Sequence, residues 1–74
     1  MSQGDHATGI VLFAHGSSVE EANEGVRELA NQVQALGVYR YVRAAFLDLA
    51  HPDLAEAVAQ AGEAGFPHII VIPY

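Results

Sequence analysis

Seventy-four residues, 51% of them apolar, are enough for one domain with a core and too apolar for a disordered chain. Nine acidic residues stand against three arginines and no lysine, a net charge of −6, which argues against nucleic acid and against an anionic membrane surface as partners. The absence of cysteine excludes disulfides and thiolate metal sites and permits a cytoplasmic location, and no apolar run reaches the ~20 residues of a membrane-spanning helix.

Residues 1–8 lack the basic start and apolar centre of a signal peptide. They read as a flexible tail that carries His6, ahead of a single α/β domain over residues 9–74. The domain opens on Gly9-Ile10-Val11-Leu12-Phe13-Ala14 and turns polar at His15-Gly16-Ser17-Ser18. A short unbroken apolar run bounded by turn residues suits a strand buried on both faces of a parallel sheet. His15 then falls where the strand leaves the sheet, and Gly16 allows the sharp turn. Ser18 and Glu21 have capping-box spacing, which predicts the start of a helix.

That helix is expected from about Val19 to Leu36, with Ala22, Val26, Leu29, Ala30, Val33 and Leu36 as its apolar stripe and Gly37 as its C-terminal stop. Glu20, Glu21 and Glu24 crowd its first turns, where negative charge meets the positive end of the helix dipole. Tyr39 to Leu49 reads as the second strand, interrupted by Arg43 and carrying Asp48 near its end. A carboxylate inside an apolar run is expensive unless it is hydrogen-bonded, paired or metal-bound. Pro52 suits the first turn of a second helix, with Leu54, Ala57, Val58 and Ala61 facing inward and Gly65 ending it. His68 to Tyr74 reads as a third buried strand closed by Pro73.

The order is β-α-β-α-β. Right-handed crossovers and helices on both faces of a parallel sheet give strand order 2-1-3. A crevice then opens beside the carboxyl end of the first strand. His15 should line it, with Asp48 facing the same space. The third strand would form a bare apolar edge of the kind proteins cover or pair, which suggests a domain completed by association or by further chain.

Four stretches together resemble the class II tetrapyrrole chelatases, the CbiX-like sirohydrochlorin cobalto- and ferrochelatases. They are the strand ending in His15-Gly16-Ser17, the Ala22-Asn23-Glu24 step, Ala45-Phe46-Leu47-Asp48-Leu49 leading to Pro52, and Ile69-Ile70-Val71-Ile72-Pro73. The likeness runs from about Gly9 to Tyr74 and corresponds to the amino-terminal portion of a short, homodimeric member, so the domain reads as apparently truncated. It implies a lyase that inserts a divalent metal, Co²⁺, Fe²⁺ or Ni²⁺, into a sirohydrochlorin-like tetrapyrrole in cobalamin or siroheme biosynthesis. By the same likeness His15 is a metal ligand and proton acceptor, and Asp48, where the family usually has Glu, assists the metal. The family's second metal-binding histidine belongs to a loop beyond the third strand that is not in this sequence.

The residue chemistry accords with that implication. Imidazole suits Co²⁺, Ni²⁺ and Fe²⁺, and carboxylate supplements it. A set of two or three protein ligands leaves positions open for ring nitrogens. Amides around Ser17 and Ser18, at the start of the first helix, are candidates for holding an anionic ring. His51 is a secondary ligand candidate. His68, expected at the opposite end of the sheet from His15, reads as structural. Two other readings stand beside the enzyme: a non-catalytic metal- or tetrapyrrole-binding module, and a plain α/β fragment whose turn binds a small anion. Without a GxSxG motif or a base and orienter for Ser17 or Ser18, nothing favours a hydrolase.

Overall fold

The computed structural model describes residues 5–74, with side chains from Ala7 onward. Three strands, β1 (Asp5–Ala14), β2 (Tyr39–Phe46) and β3 (His68–Pro73), alternate with two helices, α1 (Glu20–Ala35) and α2 (Leu54–Glu63). The strands form one parallel sheet in the order β2-β1-β3, as the connectivity rules predict.

Period-two alternation along β1 divides the core between two helices. Ile10, Leu12 and Ala14 face α1 together with Val42, Ala44 and Phe46, and Val26 and Ala30 of α1 close that layer. Val11 and Ala45 face the other way, onto Ala57 of α2, with Phe13, Leu54 and Ile69 packed beside them. The two helices therefore cover opposite faces. Val11, Val42 and Phe46 are fully buried, which accounts for the unbroken apolar character of these strands.

Several boundaries differ from the sequence reading. β1 begins at Asp5, so residues 5–8, expected in a loose tail, belong to the sheet. Thr8 is buried and pairs with His68, and Asp5 pairs with Tyr39 across an irregularity in the register. Neighbours on both sides supply the order that composition alone did not reveal. The rest of the expected tail, residues 1–4, and the His6 side chain lie outside the described residues. The α1 stripe is rotated from the expected one: Asn23, Val26 and Ala30 are its buried residues, while Ala22 and Leu36 are exposed. Asn23, Val26 and Ala30 keep helical spacing, but their first member is polar.

β2 ends at Phe46 rather than at Leu49. The chain turns out of the sheet because the Phe46 amide is taken by the Pro52 carbonyl at 2.9 Å and Leu49 adopts a positive φ of 66°. Pro52 precedes α2 instead of opening its first turn. The N-cap is Asp53, whose carboxylate accepts from the Glu56 amide while the Glu56 carboxylate accepts from the Asp53 amide, both at 2.8 Å. Gly37 and Gly65 follow the two helices at positive φ, where glycine is favoured. β3 pairs only with β1 and is exposed along most of its length. Ile70, Val71 and Ile72 are 47%, 39% and 42% exposed, so this strand is the bare apolar edge expected above and not a buried one.

Candidate functional site

The first turn of interest, His15 to Val19, leaves the carboxyl end of β1. Asn23, which is 2% exposed, fixes this turn from inside the first turn of α1. Its side-chain oxygen accepts from the Ser17 amide at 2.9 Å, and its side-chain nitrogen donates to the Ser17 carbonyl at 2.8 Å and to Glu20 at 3.2 Å. The Ser17 hydroxyl accepts from the Val19 amide at 3.0 Å. Val19 is the N-cap and makes no side-chain cap bond, so the expected capping box at Ser18 does not form.

The second turn, Leu47 to Pro52, leaves the carboxyl end of β2 and is laced to the first. The Leu47 amide donates to the Ala14 carbonyl at 2.9 Å, and the Asp48 amide donates to the His15 carbonyl at 3.0 Å. The approach is so close that a Cβ on Gly16 would lie 1.7 Å from the Asp48 carbonyl oxygen. Gly16 also has a φ of 90°. Only glycine meets both conditions without strain.

The His15 and Asp48 backbones are thus neighbours, but their side chains border different hollows. His15 is exposed and lines a cavity of about 320 Å³ with Phe13, Ala14, Leu47, Pro73 and Tyr74. Asp48 lines a second hollow of about 380 Å³ with Leu47, Leu49, Ala50, His51 and Asp53. Leu47 borders both. The expectation that His15 and Asp48 face one crevice therefore needs correction: beyond Phe46 the chain has left the sheet, and the two side chains border separate hollows that share only Leu47. The companion that Asp48 shares space with is His51.

The polar groups of the second hollow are partly committed. Asp48 Oδ1 accepts from the Leu49 amide at 2.8 Å. His51 Nδ1 lies 3.1 Å from Glu56 Oε1, and Asp53 is the helix cap. Glu56 titrates below the usual carboxylate range because it accepts from the Asp53 amide and lies against His51. Arg27 braces this turn from α1: it donates to the His51 carbonyl at 3.2 Å, pairs with Glu20 and Glu24, and sits over the Phe46 ring. These pairings hold Glu20 below its ordinary pKa. Among the described residues no group of three or more His, Asp or Glu side chains could enclose a metal ion.

The other candidates fall as follows. The Ser17 amide, a candidate donor to an anionic ring, is already occupied by Asn23, whereas Ser18 is exposed. His68 pairs with Thr8, far down β1 from His15, at the end of the sheet expected for it. Asn23 carries the turn, although its residue type alone does not mark it as a site residue. Its spacing of three and seven residues from Val26 and Ala30 was the available signal.

The CbiX family model matches residues 9–74, which covers both turns, β2, β3 and β1 from Gly9 onward. The chain belongs to the CbiX family. It is similar to sirohydrochlorin cobaltochelatases of three methanogens. It is 34% identical to that of Methanopyrus kandleri over 64 residues, 86% of this chain and 45% of the relative. It is 31% identical to that of Methanocaldococcus jannaschii over the same shares. It is 27% identical to that of Methanococcus maripaludis, over 86% of this chain and 44% of the relative. This CbiX-family chain thus spans a little under half the length of the curated relatives it matches. No solved structure matches it. The resemblance drawn from His15-Gly16-Ser17 and its companion stretches holds at the level of the family. No helix among the described residues is long and apolar enough to cross a membrane.

Proposed function

We propose that this chain carries part of a sirohydrochlorin chelatase-type metal-insertion site, a lyase activity of cobalamin or siroheme biosynthesis in the cytoplasm. The single observation that carries the reading is His15: an exposed imidazole at the carboxyl end of the central strand, beside a largely apolar cavity. The tetrapyrrole ring lies against Phe13, Leu47 and Tyr74, and the divalent metal substrate, Co²⁺ or Fe²⁺ with Ni²⁺ as a further candidate, is presented by His15. Imidazole binds such ions well enough to collect them and is labile enough to release them. When not ligating, the same ring can accept a pyrrole proton near neutral pH. Asp48, tied to His15 only through the backbone, draws the cation toward this end of the sheet and does not share its first coordination shell with His15. Ser18, exposed beside the cavity turn, is the candidate donor to the ring's carboxylates. The uncovered apolar edge at β3 supports action as a homodimer.

A second reading is favoured by one specific observation. Too few ligating side chains converge among the described residues to enclose a metal, which suits a non-catalytic metal- or tetrapyrrole-binding module. One assay separates the two: incubation with sirohydrochlorin and Co²⁺, followed by the absorbance change of insertion. Insertion by the parent chain, lost in His15→Ala, supports the enzyme. Tetrapyrrole or Co²⁺ binding without insertion supports the module. Calorimetric Co²⁺ affinities equal in the parent and His15→Ala would remove His15 as a ligand and end both readings of that residue.

A further inference from the structure

A third cavity, lined by neither His15 nor Asp48, lies on the outer edge of β2, with a volume of about 240 Å³. Its polar lining is Arg27, Asn31, Arg43 and Gln60, over a floor that includes Val42, Ala44 and Pro52. None of the carboxylates among the described residues lines it, yet two of the three arginines do. In a chain of net charge −6 that segregation is unexpected from composition.

The edge of β2 explains what the cavity offers. In a parallel strand, alternate residues direct their amides to the same side. The Val42 amide points outward and is capped by Gln34 Oε1 at 2.8 Å, and the Phe46 amide points outward and is capped by the Pro52 carbonyl at 2.9 Å. Ala44 lies between them with the same parity and lines the cavity. No hydrogen bond from its outward amide is seen among the described residues.

The two guanidiniums are not equivalent. Arg27 is paired with Glu20 and Glu24 at 2.6 and 2.8 Å, so its charge is spent locally. Arg43 crosses the sheet edge, stacked on Tyr41 with 4.2 Å from guanidinium carbon to ring centroid. It bonds only neutral acceptors, Gln34 Oε1 at 2.6 Å and the Val42 carbonyl at 3.0 Å. No carboxylate among the described residues pairs with it.

From this juxtaposition we infer that the outer edge of β2 is a binding site for a small carboxylate with an apolar stem, held by Arg43 and the Ala44 amide. Guanidinium and backbone N–H are the donors that recognise a carboxylate, and the aliphatic floor favours an alkyl stem over a fully hydrated anion such as phosphate. The cavity is below the 300–1,000 Å³ of drug-sized sites, which limits the occupant to a few carbons.

The test is a titration of the ¹⁵N-labelled full chain with sodium butyrate, with sodium phosphate and with sodium chloride at matched ionic strength. Saturable shifts of the Ala44 amide and the Arg43 side chain with butyrate are expected. They should weaken at least tenfold in Arg43→Met, which keeps the stem and removes the charge, and in Asn31→Phe, which fills the cavity and leaves both guanidiniums in place. Either variant suffices if the other fails to fold. Equal shifts with chloride, phosphate binding as tight as butyrate, or unchanged butyrate affinity in a folded variant would each overturn the assignment.

Discussion

Gly16→Ala tests the linkage between the two turns most directly. An added Cβ would lie 1.7 Å from the Asp48 carbonyl oxygen, a backbone atom that cannot rotate aside. Ordinary carbon–oxygen contact needs about 3.3 Å, so the turns must separate by roughly 1.6 Å. The 3.0 Å bond from the Asp48 amide to the His15 carbonyl cannot survive that separation, a loss of about 1 kcal/mol. Holding alanine at a φ of 90° adds about 1–2 kcal/mol. The total is about 2–3 kcal/mol, a large share of the stability of a domain this size, roughly 0.05–0.15 kcal/mol per residue. Urea unfolding followed by far-UV circular dichroism reads this as a drop of about 2 M in midpoint, for a slope near 1–1.5 kcal/mol per M. Gly25→Ala is the control: nothing lies within 4 Å of its added Cβ, it sits inside α1, and it should gain about 0.5–1 kcal/mol. A Gly16→Ala midpoint equal to that of the parent would refute the close approach.

Asn23→Ala should cost about 1–3 kcal/mol, since it strands the Ser17 amide and carbonyl beside a buried position. It should also raise hydrogen exchange at Ser17 and Val19 relative to Ala30. Phe46→Ala, at a fully buried position, should cost about 3–5 kcal/mol by cavity formation and release the Arg27 contact above it, measurable in the same urea titration. Asp53→Ala removes the capping box and should cost about 1 kcal/mol, with lost helicity confined to α2. Glu56 and Glu20 both titrate below their ordinary values. Folding stability from these groups is therefore complete above the unfolded-state carboxylate pKa and declines as pH falls through the lower folded-state values. Both carboxylates are exposed, so the slope is shallow. Urea midpoints taken between about pH 5 and pH 3 should fall less steeply in Glu56→Gln than in the parent.

The sheet was legible because burial imposes its period on residue type. Five unbroken apolar residues in β1 and four in β3 admit a parallel strand, and connection rules leave few orders for three of them. The helices were legible for the same reason, but their registers were not. Counting apolar residues put Ala22 on the inner face of α1, where the structure has Asn23. A buried asparagine with its hydrogen bonds satisfied reads from type alone as a surface residue. The capping box at Ser18 failed for a different reason: its spacing is only a necessary condition, and the helix takes Val19 as its N-cap, one residue later than that box requires. Asp53 with Glu56 has that spacing too, and there Asp53 is the N-cap, so the box forms.

The separation of His15 from Asp48 follows from geometry that no periodic pattern encodes. Inside a strand, alternation tells which residues share a face; beyond Phe46 the chain has left the sheet, and direction is set by individual turn dihedrals. Two backbone bonds draw the turns together, and Leu47 borders the hollows of both polar side chains. That arrangement has a chemical consequence. The fewer protein groups bind a metal, the more positions it keeps open for ring nitrogens. With Leu47 as the divider, His15 presents a single donor beside an apolar face. The remaining coordination positions then stay open for the nitrogens of a ring stacked on that face. Leu47→Ala removes the divider and should let Asp48 reach the His15 side. Calorimetry should then give tighter Co²⁺ binding than in the parent. Unchanged affinity in a folded Leu47→Ala chain would mean that the two hollows are insulated by something other than this side chain.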